Sequence, residues 1–257
     1  MLKLNYNNSF KRHLIQLLTL LFRKKELKRL RVNYQLFLKT LDYSLKQYKG
    51  KNVDKFLECY LLLGNKLLID IQSAKILCEC GLYGSSHTIL TVIQRTIRMV
   101  GALHLRDDLI VEYLNEEKNS DSDREFMIKF SEGSLQKILD ERFGKFKRGE
   151  YANLDKSLHG SSVGSKIFYA RIRHNSDGTK GGDLTYDAFF EDEKSTAIIN
   201  IICSAIIDMC GVFIERYQKE KDIVCLKNEY DKLLKAELKN LIKSQIKSDL
   251  PNFEKPE

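Results

Sequence analysis

No proline precedes position 251; the chain's two, Pro251 and Pro256, both sit in its last seven residues. Proline removes a backbone donor and clashes with the preceding turn, so a long stretch without one lets helices run as far as their apolar faces support them. Composition sets the size of what those helices enclose. A chain of 257 residues, 43% apolar and 30% charged, fills one sizeable core or two small ones, which excludes a disordered tail and a mini-protein. The expected class is all-α, a multi-helix bundle.

Apolar spacing divides the chain further. From Tyr6 to Tyr48 the row Leu14, Leu17, Leu18, Leu21, Leu27, Leu30, Tyr34, Leu38 and Leu41 predicts one long helix or two, closed by Gly50 to Asn52. Asp54 to Cys80 reads as the next helix, with a turn at Gly81 to Gly84. Ser85 and Ser86 are expected N-caps of a helix to Leu105, and Asp107 and Asp108 open a short one that ends in the polar run Glu116 to Asp123. Helices are predicted over 123–143, 150–159 and, after a non-helical stretch at 160–185 that reads as a hairpin or an ordered loop, from about Asp187 to Asp249. The expected division is a basic helical arm over 1–50, a bundle over 51–250 and a flexible tail over 251–257.

Charge is unevenly spread. Residues 1–55 hold 14 Lys and Arg against Glu26, Asp42 and Asp54, a net +11 in a chain whose total is +8. A basic end on a near-neutral body suits a polyanion, either nucleic acid or an anionic membrane face, and equally suits a solvated helix face. The candidate nucleic-acid-binding residues are Lys11, Arg12, Arg23, Lys24, Lys25, Lys28, Arg29 and Arg31. The uncharged run Leu14 to Phe22 is nine residues long, too short to span a bilayer, so no stable membrane insertion is expected. Its leucine face could also pack on the protein's own bundle or on a second copy.

Cys59, Cys78, Cys80, Cys203, Cys210 and Cys225 form no CxxC pair and have no partner histidines at zinc spacing, so no metal is expected. Most lie in apolar helical stretches with no secretory signal ahead of them, which fits buried thiols in a reduced, cytoplasmic protein. Asp177 to Gly182 has glycines and a lysine in the wrong order for a phosphate loop. As a calcium loop beginning at Asn175, the segment fails at Lys180 and Tyr186. No cofactor is expected.

Three constellations could carry chemistry. His87, Thr91, Arg95 and Arg98 make a polar stripe on one predicted helix, and two arginines one turn apart can clamp a phosphate or pair with carboxylates such as Asp70 or Glu79. Asp155 and His159 stand one turn apart, which is half of a general acid/base arrangement and also what a helix end before Gly160 produces. Asn200, Ser204, Asp208 and Glu215 mark a polar line on the otherwise apolar helix Ser195 to Tyr217, which could line a site or form a satisfied seam.

The pattern Gly81-Leu-Tyr-Gly, a helix carrying Arg95, and the later Tyr151-x2-Leu154-x4-His159-Gly160 resemble a bacterial family of uncharacterised helical proteins close to the HEPN superfamily, over about residues 55–215. That resemblance implies a helical bundle, often dimeric, and an RNA-cleaving toxin or phage-defence effector using an Arg-x4-6-His motif. Here five residues separate Arg98 from His104, and the residue after the arginine is Met99 where that superfamily has a polar one. Six residues turn a helix by about 240° net, which sends His104 to the side of Ile97 and Val100. The expected catalytic set, if the protein is an enzyme, is therefore His159 with Arg95 and Arg98, and RNA is the expected nucleic acid rather than DNA. The alternatives are a binding module that uses the basic arm without catalysis, and a protein-binding bundle or homodimer.

Overall fold

The structure is a computed structural model that describes residues 7–48, 54–115, 123–143, 170–174, 180–184 and 190–249. Helices α1 (Asn7–Phe22) and α2 (Lys24–Tyr48) are the two pieces of the first apolar row. Arg23 closes the first and opens the second: its amide donates to Thr19 O at 2.8 Å and its carbonyl accepts from the Leu27 amide at 2.8 Å. Then come α3 (Lys55–Glu79), α4 (Tyr83–Leu105), α5 (Asp107–Leu114), α6 (Asp123–Lys129) and α7 (Glu132–Phe143). The antiparallel hairpin β1 (Ala170–His174) and β2 (Lys180–Leu184) pairs Ala170 with Leu184 and His174 with Lys180. Helix α8 (Asp192–Tyr217), a short 3-10 turn (Lys221–Ile223) and α9 (Val224–Asp249) complete the order. The protein is an all-α bundle with one small hairpin in the stretch expected to be non-helical.

Helix α8 is the axis. It packs against α2, α3, α4 and α9, with Ile202, Cys203, Ile206, Met209, Cys210 and Phe213 fully enclosed. It is long and apolar enough by composition to cross a membrane, yet most of it is buried inside the bundle. Four cysteines, Cys59, Cys78, Cys203 and Cys210, belong to this core, and burial pushes the Cys59 and Cys78 thiols up to about 12. Those thiols stay protonated and act as small apolar groups.

Helix α2 belongs to the same core. Leu30, Leu36, Phe37 and Leu41 share one cluster with α3, α4 and α8, and the Thr40 and Tyr60 hydroxyls meet at 2.9 Å inside it. A boundary at residue 50 therefore does not separate two cores: the apolar face of α2 is wide enough to need burial on both α3 and α8.

Three helix ends differ from expectation for local reasons. Gly81 takes φ 74°, and the Leu82 amide reaches back to Leu77 O at 2.8 Å while the Gly81 amide reaches Cys78 O at 3.0 Å, which is the glycine-ended closure of α3. The chain then re-enters helix at Tyr83, so Ser86 caps nothing; its hydroxyl donates to Ala74 O on α3 at 2.7 Å. The helix predicted over 123–143 breaks at Phe130–Ser131. Phe130 turns inward onto Phe126 and Tyr113, at 4.4 and 6.0 Å between ring centres, and Ser131 Oγ accepts from the Ser134 amide at 3.3 Å to start α7.

Candidate functional site

Helix α4 sends the four residues of its predicted polar stripe to different surroundings. His87 is buried, and loss of hydration lowers its pKa to about 4, so it is neutral in the folded protein at pH 7. The Thr91 hydroxyl donates to Thr88 O on its own helix at 2.7 Å. Arg95 is exposed, whereas Arg98 is only 8% exposed and forms an ion pair with Glu132, the first residue of α7. The predicted two-arginine clamp is therefore not assembled: Arg98 spends its charge inside the bundle, and Glu132 sits where a helix N-terminus favours a carboxylate. Its partner is neither Asp70, which pairs with Lys66, nor Glu79, which pairs with Lys75. His159 and Asp155 lie outside the described residues, as do Tyr151 and the predicted helix over 150–159.

His104 falls on the side away from Arg98, as the helical turn requires. It is half-buried, 3.7 Å from Glu215, with its ring 6.1 Å from Phe56. Burial lowers its pKa and Glu215 opposes that. Arg216 covers the Phe56 ring at 5.0 Å and donates to Asp107 at 2.8 Å, which closes the junction of α3, α4, α5 and α8. This group holds helices together.

Of the polar line on α8, Asn200 is engaged between helices. Arg29 on α2 donates to Asn200 Oδ1, and its Nε lies 3.3 Å from Glu237 of α9, which also accepts from Asn33 at 3.0 Å. Arg23, 9% exposed, pairs with Glu26 and with Asp192 in the first turn of α8. Two of the eight cations expected to bind nucleic acid, Arg23 and Arg29, are thus staples between helices and are not available to a phosphate. Glu132, Glu237 and Asp192, the partners of Arg98, Arg29 and Arg23, carried no sequence signal that set them apart from other surface carboxylates.

Five of the eight face solvent: Arg12, Lys24, Lys25, Lys28 and Arg31. None has an acidic partner among the described residues, and the Lys11 side chain lies outside them. Lys24 to Arg31 occupy two turns of α2, about 10 Å along the axis, and carry four exposed cations. Among the described residues no group of three His, Cys, Asp or Glu side chains is placed to hold a metal ion.

Fold and surface together define a class: an all-α bundle with exposed cations on its first two helices. No family model, no curated protein and no solved structure matches the chain.

The buried, neutral His87 makes stability depend on pH. Its folded pKa lies below the ordinary 6.5, so stability present above 6.5 is lost as pH falls toward 4. The fall in unfolding free energy from pH 7 to pH 4.5, measured by urea titration, should be larger by about 2 kcal/mol for the native chain than for His87→Gln. Equal pH slopes in the two proteins would show that His87 titrates as it does in the unfolded chain.

Proposed function

We propose that the protein is a binding module that engages a phosphate-dense polyanion through Arg12, Lys24, Lys25, Lys28 and Arg31, without a catalytic step at the α4 arginines. The observation that supports this is the sorting of the cations. On α1 and α2, Arg23 and Arg29, which face the bundle, are each matched by a carboxylate, whereas Arg12, Lys24, Lys25, Lys28 and Arg31, which face water, have no acidic partner among the described residues. Unmatched charge of one sign raises the local concentration of a polyanion and its association rate, and phosphate contacts of this kind weaken steeply with salt.

RNA, the expected partner, is one such polyanion. An RNA-cleaving reaction would have to rely on Arg95 and His159, because Arg98 is committed to Glu132. Cleavage that disappears in both Arg95→Ala and His159→Ala would replace the binding proposal with that one.

Phosphocellulose chromatography tests the shared chemistry. The native chain is expected to need substantially more salt for elution than the quadruple variant Lys24→Glu, Lys25→Glu, Lys28→Glu, Arg31→Glu, whose substituted side chains are all exposed. Co-elution of the two proteins would overturn the proposal.

A further inference from the structure

Helix α1 turns its leucines outward. Leu14, Leu17, Leu20 and Leu21 are 47%, 56%, 51% and 65% exposed, whereas Ile15 and Thr19, on the opposite side, are buried at 4% and 0%. The buried side holds α1 in place, helped by Gln16 donating to Cys80 Sγ on α3 at 3.3 Å. At about 100° per residue the four leucines fall within a sector of about 120°, with the exposed His13 among them. A soluble surface rarely collects so many large apolar groups without a partner for them.

The cations continue that same sector. The buried row Ile15, Thr19, Arg23, Leu30 and Asn33 keeps helical spacing across Arg23, so the exposed Lys24, Lys28 and Arg31 continue the side away from it, within roughly 60° of Leu17. Glu26, the one acidic residue between positions 7 and 41, is turned to Arg23 instead. One face therefore runs from a leucine patch into a patch of positive charge that has no acidic partner among the described residues.

We propose that this face docks on the surface of an anionic lipid bilayer, the leucines entering the headgroup boundary and the cations meeting lipid phosphates. The inference rests on the polyanion-binding proposal and names its partner. Charge complementarity selects the membrane: a nucleic acid satisfies the cations and leaves the leucines in water. A second copy paired leucines on leucines about a two-fold axis leaves the cations of both copies outside the contact and without a counter-charge. The uncharged run Leu14 to Phe22 is about 13 Å long against a hydrocarbon core of about 30 Å, so α1 lies in the plane of the interface and does not span.

Flotation of the full chain with vesicles tests it. Phosphatidylcholine vesicles containing roughly a third phosphatidylglycerol should bind the protein at least about tenfold more tightly than phosphatidylcholine alone. The variant Leu17→Ser, Leu21→Ser, whose positions are exposed and whose circular dichroism and Tm should stay native, is expected to lose on the order of thirtyfold in vesicle affinity while eluting unchanged from phosphocellulose. Undiminished vesicle binding by that variant, or equal binding to neutral and anionic vesicles, overturns the inference. Retention on phosphocellulose without vesicle binding removes the membrane and leaves the polyanion proposal standing. In that case tight single-stranded RNA binding, insensitive to the serines, would identify the partner as nucleic acid. Loss of both kinds of binding would remove both proposals.

Discussion

Replacing Phe213 by alanine is expected to lower the unfolding free energy by about 4–5 kcal/mol, toward the upper end of what losing a buried phenyl ring costs. Phe213 is 0% exposed on the central helix, and its ring centre lies 4.9 Å from Tyr60, 5.0 Å from Tyr217 and 5.8 Å from Tyr43. The cost of a void depends on whether its neighbours can fall into it. Here they are held by their hydroxyls: Tyr60 meets Thr40 at 2.9 Å and Tyr217 donates to Asp54 at 2.7 Å. Asp54 is itself engaged in capping α3 through the Phe56 amide. Relaxation would break buried hydrogen bonds, so the void stays open. Against a total stability of about 5–15 kcal/mol, a loss of this size brings the chain close to unfolding at ordinary temperature. Urea titration with an unchanged m-value measures it, and a loss under about 1 kcal/mol would mean that the tyrosine ring cluster is looser than these contacts require.

The second large effect comes from charge. Glu132→Ala leaves the Arg98 guanidinium 8% exposed and unable to shed its proton. Removing one partner of a buried pair costs about 3–5 kcal/mol. The Glu132 side chain is 40% exposed, so water reaches one end of the pair and the expected loss is about 2–3 kcal/mol. Adding Arg98→Met should restore much of it, because the uncompensated charge then disappears while the methylene packing is kept. A double variant no more stable than Glu132→Ala alone would show that the loss came from α7 itself. Phosphocellulose elution should not change in Glu132→Ala; a marked gain in retention would return Arg98 to the binding face.

These two sites mark where the sequence was legible and where it was not. The buried run of α8 stands out in the letters, since Ile, Cys, Ala and Met recur almost all round it, but the same pattern left open whether Asn200 lined a site or met a partner on a neighbouring helix. Arg95 and Arg98 could not be separated that way. They stand three residues apart on one helix, yet one faces water and the other faces α7. The difference depends on where α7 docks, and α7 starts where it does because Phe130 turns inward. Nor could eight nearby cations be sorted by spacing alone, because a surface lysine and an interhelical arginine occupy the same kinds of heptad position.

Absence of proline, helical periodicity and the concentration of positive charge in the first 55 residues follow from the chain alone, because each is a property of residues near one another in sequence. Whether a given charge is spent or available was decided only by the packed bundle. Arg29 meets Asn200 across 171 positions and Asn33 meets Glu237 across 204. A backbone hydrogen bond four residues away is dictated by helix geometry, but a side-chain partner that distant exists only once whole helices have found their neighbours.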